Sequence, residues 1–330
     1  MTLTPAALKQ KAVSTARTAY KNARIALAGR APTTQRVAVI YGNCQAEALL
    51  QVLKQRPGFV QDFRLVSIPP VQSLRPGDLP RVQRLLGRAD LFVCQGVRDN
   101  YRQLPIGSGQ MGALLPMGAT VVRFPSMFYS GLHPYHAYVH ASSELGTAIP
   151  LTDSYHDLRH LAAAGRGLQG EAALDWLHTF VGDPAVIREL AEVGIRGLAE
   201  REKTLDVSIS EVLRPLRCNA FHTLNHPSNA VLAHVADQIA AAAGAAAGAR
   251  TSIGPEILGF LRAPVEADVA SALALTVPPG ATGWNSHGRA FTADEVCLAH
   301  LDWYRDHPDV LAAGLAEHAD RLDTLGLGAR

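Results

Sequence analysis

One cysteine stands at a position where a nucleophile could be activated. Cys44 lies in the turn 41–45 (YGNCQ), between the apolar run 36–41 and the helically periodic segment 45–54. At such a strand-to-helix junction, the unpaired amides and the dipole of the helix stabilise a thiolate, and the same amides can hold an oxyanion. A lone cysteine is more often a small buried hydrophobe, but the neighbouring Asn43 and Gln45 favour a functional role.

A cysteine nucleophile needs a base, and His226 is the best candidate. Because Pro227 suits the first turn of a helix, His226 is predicted at the helix N-cap. The positive helix end disfavours the imidazolium there and leaves a neutral ring. The alternative is a histidine that merely occupies the helix start. Asn225 or Asn229 could orient the ring, and the sequence does not choose between them.

Polar residues also follow a second apolar run, 90–94. Gln95 could donate a hydrogen bond to a carbonyl oxygen. Arg98 or Arg102 could hold phosphate, or the arginines could form surface ion pairs. After a third run, 120–124, residues 125–134 are dense in proline, glycine and aromatic residues, among them Tyr129 and His133. This stretch fits a pocket wall and fits a rigid turn equally well.

The elements that position these residues are predicted to form an α/β fold. Three continuous apolar runs, with a helical pattern at 81–86 between the first two, indicate a parallel sheet. Ligands gather beyond the carboxyl ends of such strands, so the three polar ends should converge on one crevice. The order of the strands cannot be read. Helices are predicted over about 154–214, from the segment 225–229 to about 243, and over 292–304.

Composition excludes several classes of protein. The 330 residues are 48% hydrophobic and 18% charged, which predicts a sizeable core, and the net charge of +2 argues against a nucleic-acid binder. The four cysteines are widely spaced, so neither a zinc ribbon nor a disulfide framework is expected, and a reducing cytoplasm is the simpler setting. Two i,i+4 histidine pairs, His156/His160 and His222/His226, lack a third ligand, and no metal site is predicted.

The N-terminal segment reads as a separate element. Residues 5–30 predict one helix rich in Ala, Lys and Arg, which either packs as a solvated helix or contacts an anionic membrane surface. No run approaches the ~20 apolar residues of a membrane span. We therefore expect a basic helix at 1–32 and a single α/β catalytic domain at 33–330.

Four motifs together resemble the WcbI family of capsular-polysaccharide biosynthesis enzymes. They lie at 41–45, 95–101, 124–134 and 225–227, whereas the N-terminal helix and the chain beyond 250 carry no matching motif. Gly96 stands where many relatives have proline. The resemblance implies an α/β core similar to serine esterases of the SGNH type, with Cys44 in place of the serine. It also implies acetyl-coenzyme A as donor and a sugar hydroxyl as acceptor, with no permanently bound cofactor.

The resulting hypothesis is an acetyltransferase. Cys44 attacks the thioester, His226 acts as base, and Gln95 with backbone amides near Cys44 holds the oxyanion. One alternative is a thiol-dependent esterase or deacetylase that uses water, and another is a non-catalytic sugar- or nucleotide-binding protein with a structural Cys44. The residues predicted to bind substrate or coenzyme A are Gly42, Asn43, Gln45, Arg98, Tyr101, Tyr129, His133, Asn225 and Asn229.

Overall fold

The computed structural model describes residues 35–141, 146–245, 254–277 and 283–328. Contacts divide the chain into two compact units. The first unit holds the described residues up to Ser126 with Arg201–Ile209 and Val231–Gly254, and the second holds Met127–Glu200, Ser210–Ala230 and the described residues from Pro255 onward. The predicted basic helix at 1–32 lies outside the described residues. The single catalytic domain over 33–330 stays a prediction.

Helices and short strands alternate along the described chain. The strands are β1 Arg36–Tyr41, β2 Phe63–Ser67, β3 Leu91–Gln95, β4 Thr120–Phe124, β5 His136–Ala137, β6 His156–Asp157, β7 Leu261–Arg262, β8 Trp284–Ser286 and β9 Arg289–Phe291. The helices are α1 Cys44–Leu53, α2 Pro57–Asp62, α3 Leu79–Leu86, α4 Ser108–Gly112, α5 Leu158–Gly165, α6 Gly170–Thr179, α7 Pro184–Glu202, α8 Ser210–Leu216, α9 Asn229–Ala242, α10 Ala267–Ala272, α11 Ala293–Asp306, α12 Pro308–Glu317 and α13 Ala319–Thr324.

The first unit is built on a parallel sheet with the strand order β2-β1-β3-β4. The register places Tyr41 beside Cys94 and Gln95 beside Phe124, so the carboxyl ends of β1, β3 and β4 lie at one edge. β1 and β4 have the predicted bounds, and β3 is shifted by one residue. The predicted α/β class with a parallel sheet is therefore confirmed.

β2 is a strand that the sequence pattern did not reveal. It lies at the edge of the sheet, and only Phe63 and Val66 of its side chains are fully buried. Arg64 and Ser67 interrupt its apolar residues, so it lacks the continuous run of a central parallel strand. Pairing with β1, rather than its own pattern, makes this segment a strand.

An ion pair of long sequence separation completes the first unit. The buried Arg56 follows α1, and its Nη2 lies 3.0 Å from Asp237 Oδ1 on α9. The same nitrogen donates to the carbonyl oxygen of Ala233 at 3.2 Å. Because a buried guanidinium without such partners carries a large desolvation cost, this contact fixes α9 against the end of α1.

The second unit is mainly helical, as predicted for about 154–214 and for the C-terminal part. α5 to α8 cover most of the first of these regions, and α10 to α13 lie in the second. α11 begins with a capping box between Thr292 and Glu295. Two small antiparallel sheets, β5-β6 and β7-β8-β9, were not predicted. No helix in the described part of the chain is both long and apolar enough to cross a bilayer.

The interior of the second unit contains a polar network around one ion pair. Asp157 accepts from Arg159 Nη2 at 2.7 Å, and the same nitrogen reaches Glu266 at 2.6 Å. Asp157 Oδ2 also lies 3.7 Å from His136 Nε2 and 4.0 Å from His160 Nε2. Among the described residues, no group of three or more His, Cys, Asp and Glu side chains is arranged as a metal site.

Burial keeps the imidazoles in this network, and that of the neighbouring His156, neutral. It lowers the pKa of His156 and of His160 to about 4, and it lowers the pKa of His300 well below its usual value. In the neutral form the rings share hydrogen bonds. His160 Nδ1 lies 3.0 Å from His300 Nδ1, and His300 Nε2 lies 3.0 Å from Thr152 Oγ1.

We expect acid to destabilise the protein as the pH falls from 6.5 towards 4. Imidazoles of the unfolded chain take up protons near 6.5, whereas His156 takes one up at about 4, so the unfolded state binds more protons in this window. Stability therefore rises with pH there, by on the order of a few kcal/mol for each fully shifted histidine. Chemical denaturation at stepped pH measures the slope.

One variant tests the origin of this slope. His156→Gln should make the slope shallower, because it removes an imidazole that burial keeps neutral. A free energy of unfolding that stays constant between pH 6.5 and about 4 would contradict the buried neutral imidazoles.

Candidate active site

The turn that holds Cys44 is built by the end of β1 and the start of α1. Cys44 is the first residue of α1, and it is partly exposed. Asn43 is the N-cap, and its Oδ1 accepts a hydrogen bond from the amide of Gln45 at 2.9 Å. Asparagine is favoured there because it satisfies an amide that the first helical turn leaves without an intrahelical partner. The predicted strand-to-helix junction at Cys44 is confirmed.

The side chain of Gln95 joins three loops at the carboxyl edge of the sheet. It is 3% exposed. Its Oε1 accepts from the amide of Asn43 at 2.8 Å, and its Nε2 donates to Gln45 Oε1 at 2.7 Å. Nε2 also lies 3.5 Å from the carbonyl oxygen of Pro125, which follows β4. The three strand ends that were predicted to converge therefore meet at this one side chain.

Gly42 lets Gln95 approach the turn closely. A Cβ added to Gly42 would lie 2.4 Å from Gln95 Oε1 and 2.9 Å from its Cδ. The carbonyl oxygen of Gly42 accepts from the amide of Val71 at 2.9 Å, which fixes the other side of the peptide. A side chain at this position would displace Gln95, so Gly42 has a structural role beside its predicted place in the binding site.

The existing hydrogen bonds bear on the oxyanion role predicted for Gln95 and the nearby amides. Gln95 Nε2 is engaged with Gln45, and the amide of Asn43 is engaged with Gln95. The amides of Gln45 and Ala46 donate to Asn43, to Oδ1 at 2.9 Å and to the carbonyl oxygen at 3.1 Å. An oxyanion held by any of these groups would have to replace the acceptor that the group has now. The structure shows Gln95 positioning the turn, and its oxyanion role stays a prediction.

The loop after β3 presents exposed arginines. The guanidinium carbon of Arg98 lies 5.7 Å from the centroid of the Tyr101 ring. Arg102 donates to the carbonyl oxygen of Gln72. Asn100, Arg102 and Gln103 have φ of 54°, 52° and 62°, a conformation that costs free energy for residues other than glycine. The loop that presents the two arginines therefore contains three residues in the left-handed conformation.

Residues of α4 hold this backbone in place. Ser108 Oγ accepts from the amide of Val97 at 2.7 Å and donates to the carbonyl oxygen of Gln95 at 2.5 Å. Gln110 Oε1 accepts from the amide of Asn100 at 3.1 Å. The sequence did not identify Ser108 or Gln110, because nothing in their spacing connects them to the end of β3. The loop is preformed, which lowers the entropy cost of binding a ligand.

His226 lies in a loop of the second unit, between Phe221 and α9, and not at a helix N-cap. α9 begins at Asn229, and Pro227 forms an antiparallel bridge with Phe221. The amide of His222 donates to the carbonyl oxygen of His226 at 2.8 Å. The prediction that Pro227 opens the helix was wrong. Proline also fits extended backbone, and here pairing with Phe221 determines its conformation.

The ring of His226 is neutral because it is buried, and not because of a helix dipole. Burial lowers its pKa to about 4, and a hydrogen bond with the Leu261 backbone opposes this only in part. Nδ1 is buried and has no hydrogen-bond partner among the described residues, so the bond with Leu261 belongs to Nε2. Nδ1 therefore carries the lone pair that can accept a proton.

Two asparagines fix the segments around His226. Asn225 Oδ1 accepts from the hydroxyl of Tyr155. Asn229 Nδ2 donates to the carbonyl oxygen of Pro255 at 3.2 Å, and its Oδ1 accepts from the amide of Ile257 at 3.1 Å. These bonds tie residues 255–257 to the start of α9. Direct orientation of the imidazole by either asparagine stays a prediction.

Sequence reasoning missed a second imidazole with a carboxylate partner. His222 Nε2 lies 3.0 Å from Glu256 Oε2, which also accepts from the amide of Asn229 at 2.7 Å. Burial raises the pKa of Glu256, but these hydrogen bonds outweigh burial and lower it. The i,i+4 spacing of His222 and His226 singled out the histidine, but no sequence signal links it to a glutamate 34 residues away.

Tyr129 and His133 are buried packing residues of the second unit. The Tyr129 ring lies 6.0 Å from the ring of Phe221, and burial raises the Tyr129 pKa to about 12. His133 Nδ1 lies 3.0 Å from the carbonyl oxygen of Pro264, and burial lowers the His133 pKa to about 4. Of the two interpretations of 125–134, this burial favours the rigid turn. Substrate binding by either residue stays a prediction.

The four cysteines differ in environment. Cys94 and Cys297 are buried, and burial raises the pKa of both thiols to about 12, so they are poor nucleophiles. The prediction that Cys94 belongs to the core is confirmed. Cys218 is partly exposed, as Cys44 is, but it lies in a short 3₁₀ turn. Cys218 is therefore the natural control for reactivity at Cys44.

The predicted site residues fall into two groups. The first unit holds Gly42, Asn43, Cys44, Gln45, Gln95, Arg98 and Tyr101. The second unit holds Tyr129, His133, Asn225, His226 and Asn229. Gln95 brings the turn residues of the first group together, and one loop carries His226 with Asn225. The pairing of Cys44 with His226 stays a prediction.

Comparison with known proteins adds two findings. Residues 37–248 match the family model of WcbI, described as a polysaccharide biosynthesis enzyme. A solved structure of WcbI is similar to this chain with a TM-score of 0.76 and 20% identity, covering 89% of this chain and 99% of that one. That structure is described as native protein without a disulfide bond between coenzyme A and one of its cysteines. No curated protein sequence matches.

Replacement of Gln95 by methionine should loosen the turn. Gln95→Met removes the partners of the Asn43 amide and of Gln45, so we expect the free energy of unfolding to fall by about 1–3 kcal/mol for each unsatisfied group. Gln83→Met, at an exposed position of α3, should stay within about 0.5 kcal/mol of the wild type. Urea denaturation measures both, and equal effects would rule out the positioning role.

Proposed function

The chain belongs to the WcbI family of polysaccharide biosynthesis enzymes, and we propose that it transfers an acetyl group from coenzyme A to a sugar hydroxyl. The observation that carries this proposal is the place of Cys44 as the partly exposed first residue of α1. A thiol there meets the positive end of the helix, which stabilises the thiolate. A thiolate suits a thioester donor, because exchanging one thioester for another is nearly thermoneutral.

The first step forms an acyl-enzyme. The Cys44 thiolate attacks the acetyl carbonyl carbon, the bond from that carbon to the sulfur of coenzyme A breaks, and coenzyme A leaves as a thiolate. The description of the similar WcbI structure mentions coenzyme A together with a cysteine, which supports a thiol near the donor in this chain as well. Gln95 and Asn43 hold the turn in the conformation that presents Cys44.

The second step passes the acetyl group to the acceptor. A sugar hydroxyl oxygen attacks the carbonyl carbon of acetyl-Cys44, its proton passes to the imidazole of His226, and the bond to Sγ breaks to restore the thiolate. Support for His226 comes from its neutral ring, which can accept a proton. A pyranose hydroxyl, in place of water, makes the reaction a transfer.

The donor is proposed to lie along the loop after β3. Arg98 and Arg102 are exposed there, and guanidinium groups bind phosphate esters with paired hydrogen bonds. Tyr101 lies under Arg98 and offers a ring beside them. The nucleophile turn that follows the first strand of a parallel sheet also supports a relation to SGNH-type serine esterases, with Cys44 in place of the serine.

Acylation of Cys44 tests the proposal directly. Mixed with acetyl-coenzyme A, the wild type should gain the mass of one acetyl group, and Cys44→Ala should not. Because Cys44→Ala also loses the covalent route, transfer to acceptor should fall by about 10³-fold or more. Intact-mass spectrometry and release of free coenzyme A provide the two measurements.

Cys218→Ala is the matched control and should behave as the wild type, because that thiol lies outside the proposed site. Transfer of acetyl at the wild-type rate by Cys44→Ala would contradict the covalent mechanism. Release of coenzyme A at the same rate with and without a glycan would favour a hydrolase. A Cys44 that never becomes acetylated while coenzyme A or sugar binds would favour a non-catalytic binding protein.

The pH dependence of the second step tests His226. A base must be unprotonated, and burial sets the His226 pKa at about 4, so the deacylation rate should stay flat as the pH falls through 6.5 and decline only near 4. His226→Gln should slow deacylation by about 10²–10⁴-fold and let acetyl-enzyme accumulate. Rapid mixing of acetyl-enzyme with acceptor gives the rate, and an inflection near 6.5 would argue against His226.

A further inference from the structure

Phe260 is an exposed aromatic ring in contact with two imidazoles in the second unit. It is 40% exposed. Its centroid lies 5.0 Å from that of His226 and 5.3 Å from that of His287, and the His287 ring is stacked on it at 28°. These three residues are called the Phe260 platform. The platform leaves part of the Phe260 ring exposed to solvent, next to the imidazole that is proposed as the base.

The hairpin that carries His287 has an unfavourable backbone. His287 and Gly288 connect β8 to β9 with φ of 52° and 85°. A two-residue turn with two positive φ values prefers asparagine, aspartate or glycine at its first position. The amide of His287 donates to the carbonyl oxygen of Phe260 at 2.6 Å, which fastens the turn to the platform. A strained residue whose ring stacks on Phe260 favours a functional role for that ring.

The segment that carries Phe260 also supplies polar groups. Glu256 is partly exposed and lies 3.0 Å from His222. Arg262 Nε donates to the carbonyl oxygen of Gly259 at 3.2 Å. A carboxylate accepts hydrogen bonds from hydroxyls, and a guanidinium donates to them. The charges of Glu256 and Arg262 offset each other, so these surroundings suit a neutral polyhydroxylated ligand better than a polyphosphate.

We propose that the Phe260 platform binds a neutral pyranose ring of the acyl acceptor. A pyranose has a face of C–H bonds, which carry partial positive charge and stack on the negative face of an aromatic ring. Its hydroxyl edge would reach Glu256 and Arg262. A sugar held on Phe260 brings a hydroxyl beside His226, whose centroid is 5.0 Å away. The role of this sugar as acceptor rests on the proposed function, but its binding does not.

Saturation-transfer NMR with methyl glycosides of glucose, galactose and mannose tests the binding without any acyl donor. We expect the wild type to saturate the ring C–H protons of at least one glycoside. Phe260→Ala should lower the affinity by about tenfold or more. Phe260→Tyr should restore the affinity, because it keeps the aromatic face. His287→Asn keeps the turn and removes the imidazole, so its affinity should be intermediate.

Phe128→Ala is the matched control, because Phe128 is an exposed aromatic residue of the same unit at 36% and lies outside the platform. Equal binding by Phe260→Ala and the wild type would overturn the inference. So would the failure of every glycoside to bind the wild type, or a loss of affinity for coenzyme A in Phe260→Ala. Glycoside binding without acetylation of Cys44 would support the sugar site at the platform and contradict the proposed transfer. Acetylation of Cys44 without glycoside binding would contradict the sugar site alone.

Discussion

The nucleophile turn depends on one buried amide side chain. Gln95 accepts from the peptide before Cys44, donates to the side chain after it, and approaches the carbonyl that follows β4. Each partner is a group that the low-dielectric interior could not leave unsatisfied without cost. The identity of Gly42 and the cap at Asn43 follow from this arrangement. The chemistry proposed for Cys44 therefore requires a side chain that reaches it from the neighbouring strand.

Three of the four strands of the parallel sheet could be predicted because each reads as an apolar run. β1, β3 and β4 have such runs, and the turn at Cys44 follows from the first of them. β2 could not be found in this way, since Arg64 and Ser67 interrupt its apolar residues and only its pairing with β1 makes it a strand. The convergence of strand ends was predicted, but the role of Gln95 in joining them was not. The sequence shows that a glutamine has donors and acceptors, and it does not show which groups they bond.

The second group of site residues shows where local pattern fails. Pro227 has the same allowed φ in a helix start and in extended chain, and only its pairing with Phe221 decides between them. His226 was predicted to be neutral and is neutral. Its pKa is lowered by burial, however, and not by the positive end of a helix. Tyr129 and His133 are polar residues with buried side chains, a combination set by tertiary packing that single-residue chemistry does not reveal.

The contacts of Arg56 with α9 have a consequence for synthesis on the ribosome. The partners of Arg56 lie at Ala233 and Asp237, and the bond to Ala233 spans 177 residues of chain. At ~5–20 residues per second, many seconds pass between the emergence of the guanidinium and of its carboxylate. Neither unit is a continuous stretch of sequence, so a nascent chain that ends near Ser126 would expose this cation and the surface beneath α9.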